Sequence, residues 1–133
     1  MTKTEISQKT TDAINRHESK VVAAYYDDNA VVYDPVYPEP LRGRKSIEKD
    51  AADTFRAIPD LHITTRTILE KDNTVAAAYT LSGTNTGPLI GPEGEIPPTG
   101  KTVNVAIAVF SLFNDQDRIV EEHRYYNVAD MLG

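Results

Sequence analysis

The sequence contains no cysteine, and its three histidines, His17, His62 and His123, are far apart in the chain. The lack of cysteine excludes disulfide bonds, thiolate nucleophiles and cysteine-ligated zinc. The histidines form neither an HxH nor an HExxH pattern, so we expect no dedicated metal site. Any chemistry must therefore come from carboxylate, histidine, tyrosine or amide side chains.

Basic residues are in short supply as well, since 14 Lys and Arg stand against 20 Asp and Glu, for a net charge of −6. No Lys/Arg cluster is present that would neutralise a run of phosphates, which argues against nucleic acid as a partner. Apolar runs such as VAIAVF at 105–110 are much shorter than the roughly 20 residues that cross a membrane. The N-terminal MTKTEISQKT has no apolar signal core, so we expect a cytoplasmic protein without a membrane partner.

What is present fits one domain over residues 1–133. Apolar or small side chains recur every three or four residues over 5–28 and again over 45–57, which predicts two helices. Between them, the β-branched stretch 30–34 predicts a short strand. The proline-rich stretch 35–45 predicts a loop, because proline removes a backbone donor and restrains the preceding residue.

From Leu61 onward the apolar period changes from 3.6 to 2, which predicts strands. The predicted strands are 61–70, 74–83, 101–113 and 118–128. The Gly- and Pro-rich stretch 84–100 predicts a mobile surface loop. Helices followed by long strands indicate an α+β fold, in which a curved, mostly antiparallel sheet wraps around the N-terminal helices and leaves an internal pocket.

Alternation along the last strand divides its side chains into two rows. One row is Ile119, Glu121, His123, Tyr125 and Asn127, and the other is Val120, Glu122, Arg124, Tyr126 and Val128. In the strand 101–113, Asn104 and Phe110 share a face with two alanines that leave room for a ligand, although either face fits as the inner one. Asp34, directly before Pro35 and next to Tyr33, is a candidate general base at the mouth of the pocket.

Five segments together resemble a known family. They are YDPVYPEPLRGRKSI (33–47), AIPDLHI (57–63), SGTNTG (82–87), PPTGKTVNV (97–105) and RIVEEHRYYNVADMLG (118–133). In this order they resemble the SnoaL-like polyketide ester cyclases, of the cone-shaped α+β superfamily that includes nuclear transport factor two, ketosteroid isomerase and scytalone dehydratase. The resemblance implies a cystatin-like cone, or α+β barrel. It also implies a homodimer through the convex sheet surface, where Arg124 and Tyr126 would lie.

The ester cyclases close a ring by an intramolecular aldol reaction without metal or cofactor, so the resemblance implies that no cofactor is used. It also places the histidine of the last strand in the cavity, which makes the row containing His123 the inner one. The candidate catalytic residues are then His123, Asp34 and Tyr125. The candidate ligand contacts are Tyr33, Asn104, Glu121, Asn127 and Phe110.

Together with the resemblance, these residues predict a cofactor-free enzyme that abstracts a proton next to the carbonyl of a polyketide-like or apolar compound, with Asp34 or His123 as the base. Three positions favour an alternative, because relatives carry ionisable side chains where this chain has Asn85, Tyr125 and Asn127. That alternative is a non-catalytic ligand-binding or carrier protein of the same fold. A hydrolase or dehydratase on this scaffold is the third possibility.

Overall fold

The computed structural model describes residues 1–91 and 93–133. The helices are α1 (Lys3–Asn15), α2 (Ser19–Ala24), α3 (Arg44–Ala57) and a C-terminal 3-10 helix (Val128–Leu132). The strands are β1 (Tyr26–Tyr33), β2 (Leu41–Arg42), β3 (His62–Lys71), β4 (Thr74–Thr84), β5 (Leu89–Gly91), β6 (Gly94–Ile96), β7 (Thr102–Phe113) and β8 (Ile119–Tyr125). Within the described ranges, no helix is long and apolar enough to span a membrane.

Six strands form one curved sheet in the order β2-β1-β8-β7-β4-β3. The four long strands predicted from the sequence are β3, β4, β7 and β8, and each pairs antiparallel with the next, as predicted. The strand β1 joins β8 in parallel. Among the described residues, β2 and β3 lie at the two edges of the sheet and do not pair with each other, so the sheet does not close on itself. The α+β prediction is confirmed, but a closed barrel is not formed.

The helices cover one face of this sheet. Helix α1 packs against β3 and β4, whereas α3 packs against β1 and the short strands β2 and β5. Helix α1 begins with a capping box, in which Thr2 and Glu5 satisfy each other's free backbone N–H groups. Apolar side chains from both helices and the sheet form the core between the two layers.

The single helix predicted over 5–28 is wrong, because α1 ends at Asn15 and the chain enters β1 at Tyr26. His17 interrupts the helix with a φ of 58°, in the left-handed region. Its ring stacks on Phe55 at 4.6 Å, and its Nε2 lies 2.8 Å from the carbonyl oxygen of Leu61. These tertiary contacts hold a backbone conformation that local helix propensity opposes.

The strand β8 contains a β-bulge near its start. Leu112 lies opposite Glu121, but the next residue of β7, Phe113, lies opposite Ile119, so Val120 has no partner of its own. A bulge adds one residue to one strand and shifts the alternation beyond it. Ile119 and Glu122 are therefore both buried, although strict alternation would place them on opposite faces.

The stretch 84–100 is not irregular throughout, since β5 and β6 pair within it as antiparallel strands. Asn85 is fully buried at the start of this stretch. Its side chain donates to the carbonyl oxygens of Ala57 and Gly87, at 3.0 and 2.8 Å, and accepts from the backbone N–H and the hydroxyl of Thr99. Asn85 therefore ties the hairpin to the end of α3. The amide at this position has a structural use, and its side chain is fully hydrogen-bonded.

Candidate functional site

A cavity of about 240 Å³ lies between the helices and the inner face of the sheet. This is slightly below the range of about 300 to 1,000 Å³ typical of drug-sized ligand sites, so a small ligand is favoured. Most of its walls are apolar. The apolar lining includes Val22, Ile47, Phe55, Leu81, Ile107 and Val109.

Four charged side chains meet at one end of the cavity, and we call them the carboxylate cluster: Asp34, Asp50, Glu122 and Arg124. The guanidinium of Arg124 donates from Nη1 to Asp34 at 3.1 Å and to Asp50 at 2.8 Å, and from Nε to Glu122 at 2.8 Å. The three carboxylate side chains are 6 to 11% exposed, and that of Arg124 is 18% exposed. One buried cation thus holds three acidic groups in place.

Hydroxyl groups complete the hydrogen bonding of the carboxylates. Tyr126 donates to Asp34 at 2.5 Å, and Tyr37 donates to Asp50 at 2.6 Å. Tyr26 and Ser111 both donate to Glu122, at 2.8 and 3.1 Å. Asp34 also accepts from the backbone N–H of Val36 at 3.0 Å. Charge-assisted bonds of this kind are stronger than neutral ones, so the cluster is rigid.

Burial raises the pKa of Tyr26, Tyr37 and Tyr126, and the adjacent carboxylates raise it further. These phenols therefore stay protonated at neutral pH and act as hydrogen-bond donors. Burial by itself would lower the pKa of Arg124, but the neighbouring acidic groups outweigh it and raise that pKa well above its ordinary value. The guanidinium therefore stays charged.

The cluster is assembled from three separate elements. Asp34 follows β1, Asp50 comes from α3, and Glu122 and Arg124 come from β8. Asp50 was missed by sequence reasoning. The sequence did contain an indication of its role. Asp50 comes three residues after Ile47 and directly before Ala51, which places a carboxylate on the buried stripe of an amphipathic helix.

The predicted inner row of β8 is wrong beyond Ile119, which does line the cavity. The structure places Glu122, Arg124 and Tyr126 along the cavity. Glu121, His123 and Tyr125 lie on the opposite, outer face. The error came from the resemblance, which placed the histidine of the last strand in the cavity; the bulge at Val120 allows both Ile119 and Glu122 to face inward. Asn127 is also outside the cavity, where its side chain caps the 3-10 helix by accepting from the backbone N–H of Ala129 at 3.1 Å.

The other predicted ligand contacts lie on the outer face too. Asn104 is exposed, and Phe110 is 46% exposed, because the inner face of β7 is formed by its branched side chains. Tyr33 is 41% exposed and stacks on His123 at a ring distance of 4.6 Å. His123 in turn lies 2.8 Å from Glu121. Room for a ligand is on the side of the valines, and the alanines face outward.

Some predicted residues do come together, in a groove of about 290 Å³ on the outer side. Tyr33, Asp34, His123 and Tyr125 line this groove, together with the proline-rich segment 35–40. Asp34 belongs to both the groove and the inner cavity, as do Tyr37 and Arg124. Its carboxylate oxygens, however, accept hydrogen bonds from Arg124 and Tyr126, whereas the imidazole of His123 bonds Glu121. Of the three candidate catalytic residues, only Asp34 lies in the cavity.

No group of three His, Asp or Glu side chains in the described part of the chain is arranged to hold a metal ion. The expectation that the protein uses no metal or cofactor stays a prediction. What the cavity offers by itself is acid–base chemistry: carboxylates that can accept a proton beside phenols that can donate hydrogen bonds.

Comparison with known proteins identifies the family of this chain. A family model described as SnoaL-like polyketide cyclase matches residues 4–133. The chain belongs to this family. A comparison with curated proteins finds no match. The family predicted from the sequence is thus confirmed.

Solved structures of SnoaL-like and related proteins share the fold. AclR, a candidate hydroxylase from Streptomyces galilaeus, has a TM-score of 0.80 at 21% identity, over 98% of this chain and 78% of AclR. The epoxide hydrolase/cyclase-like enzyme SalBIII, of pyran ring formation in salinomycin, has a TM-score of 0.79 at 16% identity, over 96% and 92% of the two chains. A ketosteroid isomerase-like protein from Catenulispora acidiphila, in complex with trimethylamine, has a TM-score of 0.79 at 16% identity, over 96% and 89%. These likenesses confirm the cone-shaped α+β fold.

Proposed function

We propose that this SnoaL-like protein is a cofactor-free enzyme that moves a proton on a small, mostly apolar carbonyl compound of the polyketide type. One observation carries the proposal. Two carboxylates, Asp34 and Asp50, are held by the same buried guanidinium in a cavity whose walls are mostly apolar. A cavity that combines apolar walls with a few convergent polar groups is the usual form of a small-molecule site.

In this mechanism Asp34 is the general base. Its carboxylate removes a proton from the carbon next to the substrate carbonyl, and the C–H electron pair becomes the C=C bond of an enolate. The enolate oxygen accepts hydrogen bonds from donors of the cluster. Arg124 supplies a donor for this, since its Nη2 group makes no hydrogen bond to the described residues, while its Nε and Nη1 are occupied. Donors already in place stabilise the developing charge without reorganisation.

The second half of the reaction returns the proton. In an isomerisation, the acid form of Asp34 gives the proton back to a different carbon of the substrate. In a ring closure, the enolate carbon attacks a second carbonyl of the same molecule, and the new alkoxide takes the proton from Asp34. Atoms and charges balance in both cases, and neither case needs an oxidant or reductant.

Hydrogen–deuterium exchange at the carbon next to the carbonyl of 1-tetralone in D₂O, followed by proton NMR, tests this function. We expect Asp34→Asn to lower the protein-catalysed exchange rate by about 10²- to 10⁴-fold, the usual contribution of a positioned base. The matched control is His123→Ala, which alters a residue outside the cavity and should keep the wild-type rate. Exchange no faster than in buffer, or equal rates in wild type and Asp34→Asn, would contradict the proposal.

A binding or carrier protein is the second candidate. Among the described residues, no fully buried side-chain nitrogen or oxygen lacks a hydrogen-bond partner. The enclosed atoms of the carboxylate cluster are therefore satisfied without a substrate, as they would be in a purely structural network, and only its accessible donors are left for a ligand. Native mass spectrometry separates the two functions, because a carrier retains a ligand whose mass stays unchanged on long incubation, whereas an enzyme releases a changed compound.

We also propose that two copies associate through the outer face of the sheet. The outer patch consists of Tyr33, Phe110, Leu112 and Tyr125, each 39 to 57% exposed. Phe110 meets the ring of Tyr125 edge-on at 6.0 Å. Neighbouring exposed aromatic and aliphatic side chains of this kind are typical of interfaces, and a symmetric pair needs only one self-complementary patch. Arg124 and Tyr126, which the resemblance placed at this interface, line the cavity instead.

A further inference from the structure

A second set of polar side chains lies in the cavity, away from the carboxylate cluster. Helix α1 presents Ser7, Thr10 and Thr11 to the cavity, and β4 presents Tyr79. The three helix residues are each less than 9% exposed. Since α1 covers the β4 side of the sheet and α3 covers the β1 side, these hydroxyls line a different wall from Asp34 and Asp50.

Ser7 is the unusual member of this set. It is 6% exposed, and its hydroxyl makes no hydrogen bond to the described residues. Because no fully enclosed side-chain oxygen there lacks a partner, this hydroxyl must touch free volume, and the free volume beside Ser7 is the cavity. Thr10 and Thr11 differ, since they donate to the backbone carbonyls of Ile6 and Ser7 at 2.9 and 3.1 Å.

Ser7 therefore offers an unpaired hydroxyl to the cavity although the residue as a whole is nearly buried, and a hydroxyl in that position can donate to a molecule in the cavity. Alanine would favour the helix more than serine does and would remove the unpaired group. Tyr79 strengthens the case. Its phenol lines the same wall beside Thr11, and burial raises its pKa, so it remains a protonated donor at neutral pH.

We infer that Ser7 and Tyr79 form a second ligand-binding subsite, which donates hydrogen bonds to an oxygen atom at the far end of the ligand. The ligand then carries two oxygen functions, one on each side of a short apolar body. The oxygen next to the reacting carbon lies at the carboxylate cluster, and a carbonyl, ether or hydroxyl oxygen lies at Ser7. This inference rests on the proposed function for the position of the reacting end, but its test measures binding alone.

Three probes with the same carbon skeleton test the subsite: tetralin, 1-tetralone and 6-hydroxy-1-tetralone, with Kd measured by isothermal titration calorimetry. For the wild type, we expect 6-hydroxy-1-tetralone to bind roughly threefold to tenfold more tightly than 1-tetralone, as one added hydrogen bond allows. In Ser7→Ala this ratio should fall towards one, with any remaining preference due to the Tyr79 donor. The matched control is Ser82→Ala, on the outer face of β4, which should keep the wild-type ratio.

Two results would overturn the inference. One is an unchanged ratio in Ser7→Ala. The other is an equal loss of affinity for tetralin, which has no oxygen and would reveal a packing role. Circular dichroism and thermal unfolding confirm that the variant is folded, and alanine is well tolerated in a helix. Failure of the proposed function is a separate outcome, since it is decided by the exchange rate of Asp34→Asn whatever the ratio of affinities.

Discussion

The two faces of β8 carry similar side chains in different surroundings. On the inner face, Glu122 and Arg124 are in contact at 2.8 Å and nearly enclosed. On the outer face, Glu121 and His123 are also 2.8 Å apart, but their side chains are 47% and 35% exposed. Both faces thus carry a contact between an acidic and a basic side chain, but the inner pair is buried and its arginine also binds Asp34 and Asp50.

This difference determines what each pair can do. In water, an exposed pair gains about 0 to 1 kcal/mol, and solvent competes for its hydrogen bonds. A buried pair interacts through a lower effective dielectric, but each charge depends on its partner for solvation. The inner pair can therefore position a substrate or a base, and its loss is costly. The outer pair tolerates change.

Replacing the central cation should have the largest effect on this contrast. Arg124→Met leaves Asp34, Asp50 and Glu122 buried without their shared donor, so we expect the free energy of unfolding to fall by about 3 to 5 kcal/mol. Urea denaturation at neutral pH measures this change.

The matched control is Arg66→Met, because Arg66 is an exposed arginine of β3 that donates to the hydroxyl of Thr80. We expect that substitution to change the free energy of unfolding by less than about 0.5 kcal/mol. A midpoint for Arg124→Met equal to that of the wild type would mean that the cluster does not depend on its cation.

The fold was largely predictable, because it follows from patterns with a single physical meaning. A period of two over 74–83 and 101–113 can only bury one face of a strand, and both strands form where the pattern placed them. The errors occurred where tertiary contacts override local signals. His17 breaks the first helix because its ring is held by Phe55 and Leu61, both more than 35 positions away in the sequence.

The site was harder to predict because alternation identifies two rows but not which row is inner. A single extra residue, Val120, reverses the answer for every later side chain of β8. Asp34 was found because it directly precedes Pro35 at the end of a strand. Asp50 was missed because its partner Arg124 is 74 positions away. Such a pairing exists only after α3 has packed against the sheet.

The next prediction tests whether the outer face binds a second copy of the chain, in contrast to the inner face, for which we propose catalysis. Phe110→Glu places a charge in the middle of the outer patch, next to Tyr125. If two copies meet there, the substitution should weaken dimerisation by at least about 2 kcal/mol, or roughly 30-fold in the dissociation constant. Sedimentation equilibrium over a range of protein concentrations measures it.

Ala52→Glu is the matched control, because Ala52 is exposed on α3, which lies on the other side of the sheet. It introduces the same charge without touching the outer patch and should leave the association constant unchanged. Equal masses for wild type and Phe110→Glu at all concentrations would remove the outer patch as an interface.

The smallest expected effect concerns the inner tyrosines at alkaline pH. Burial, and then the neighbouring carboxylates, raise the pKa of Tyr37 and Tyr126 above the ordinary 10.0. Above about pH 10 the unfolded chain therefore loses phenolic protons that the folded chain retains, so the free energy of unfolding must fall as pH rises. Below about pH 10, the contribution of each tyrosine to the free energy of unfolding is fully present. At about pH 11, about 1.4 kcal/mol of that free energy has been lost per tyrosine.

Urea denaturation at about pH 8 and about pH 11 separates this titration from the lost hydrogen bonds. Tyr37→Phe and Tyr126→Phe each remove one donor, which lowers stability at both pH values. Each variant also removes one group that titrates only in the unfolded chain. The difference in stability between the two pH values should therefore shrink by about 1.4 kcal/mol in each variant and by twice that in the double variant. The contrary result is that the wild type, the two single variants and the double variant all show the same difference in stability between the two pH values. In that case these two phenols do not keep their protons in the folded chain, and the inner face is more accessible to water than its contacts indicate.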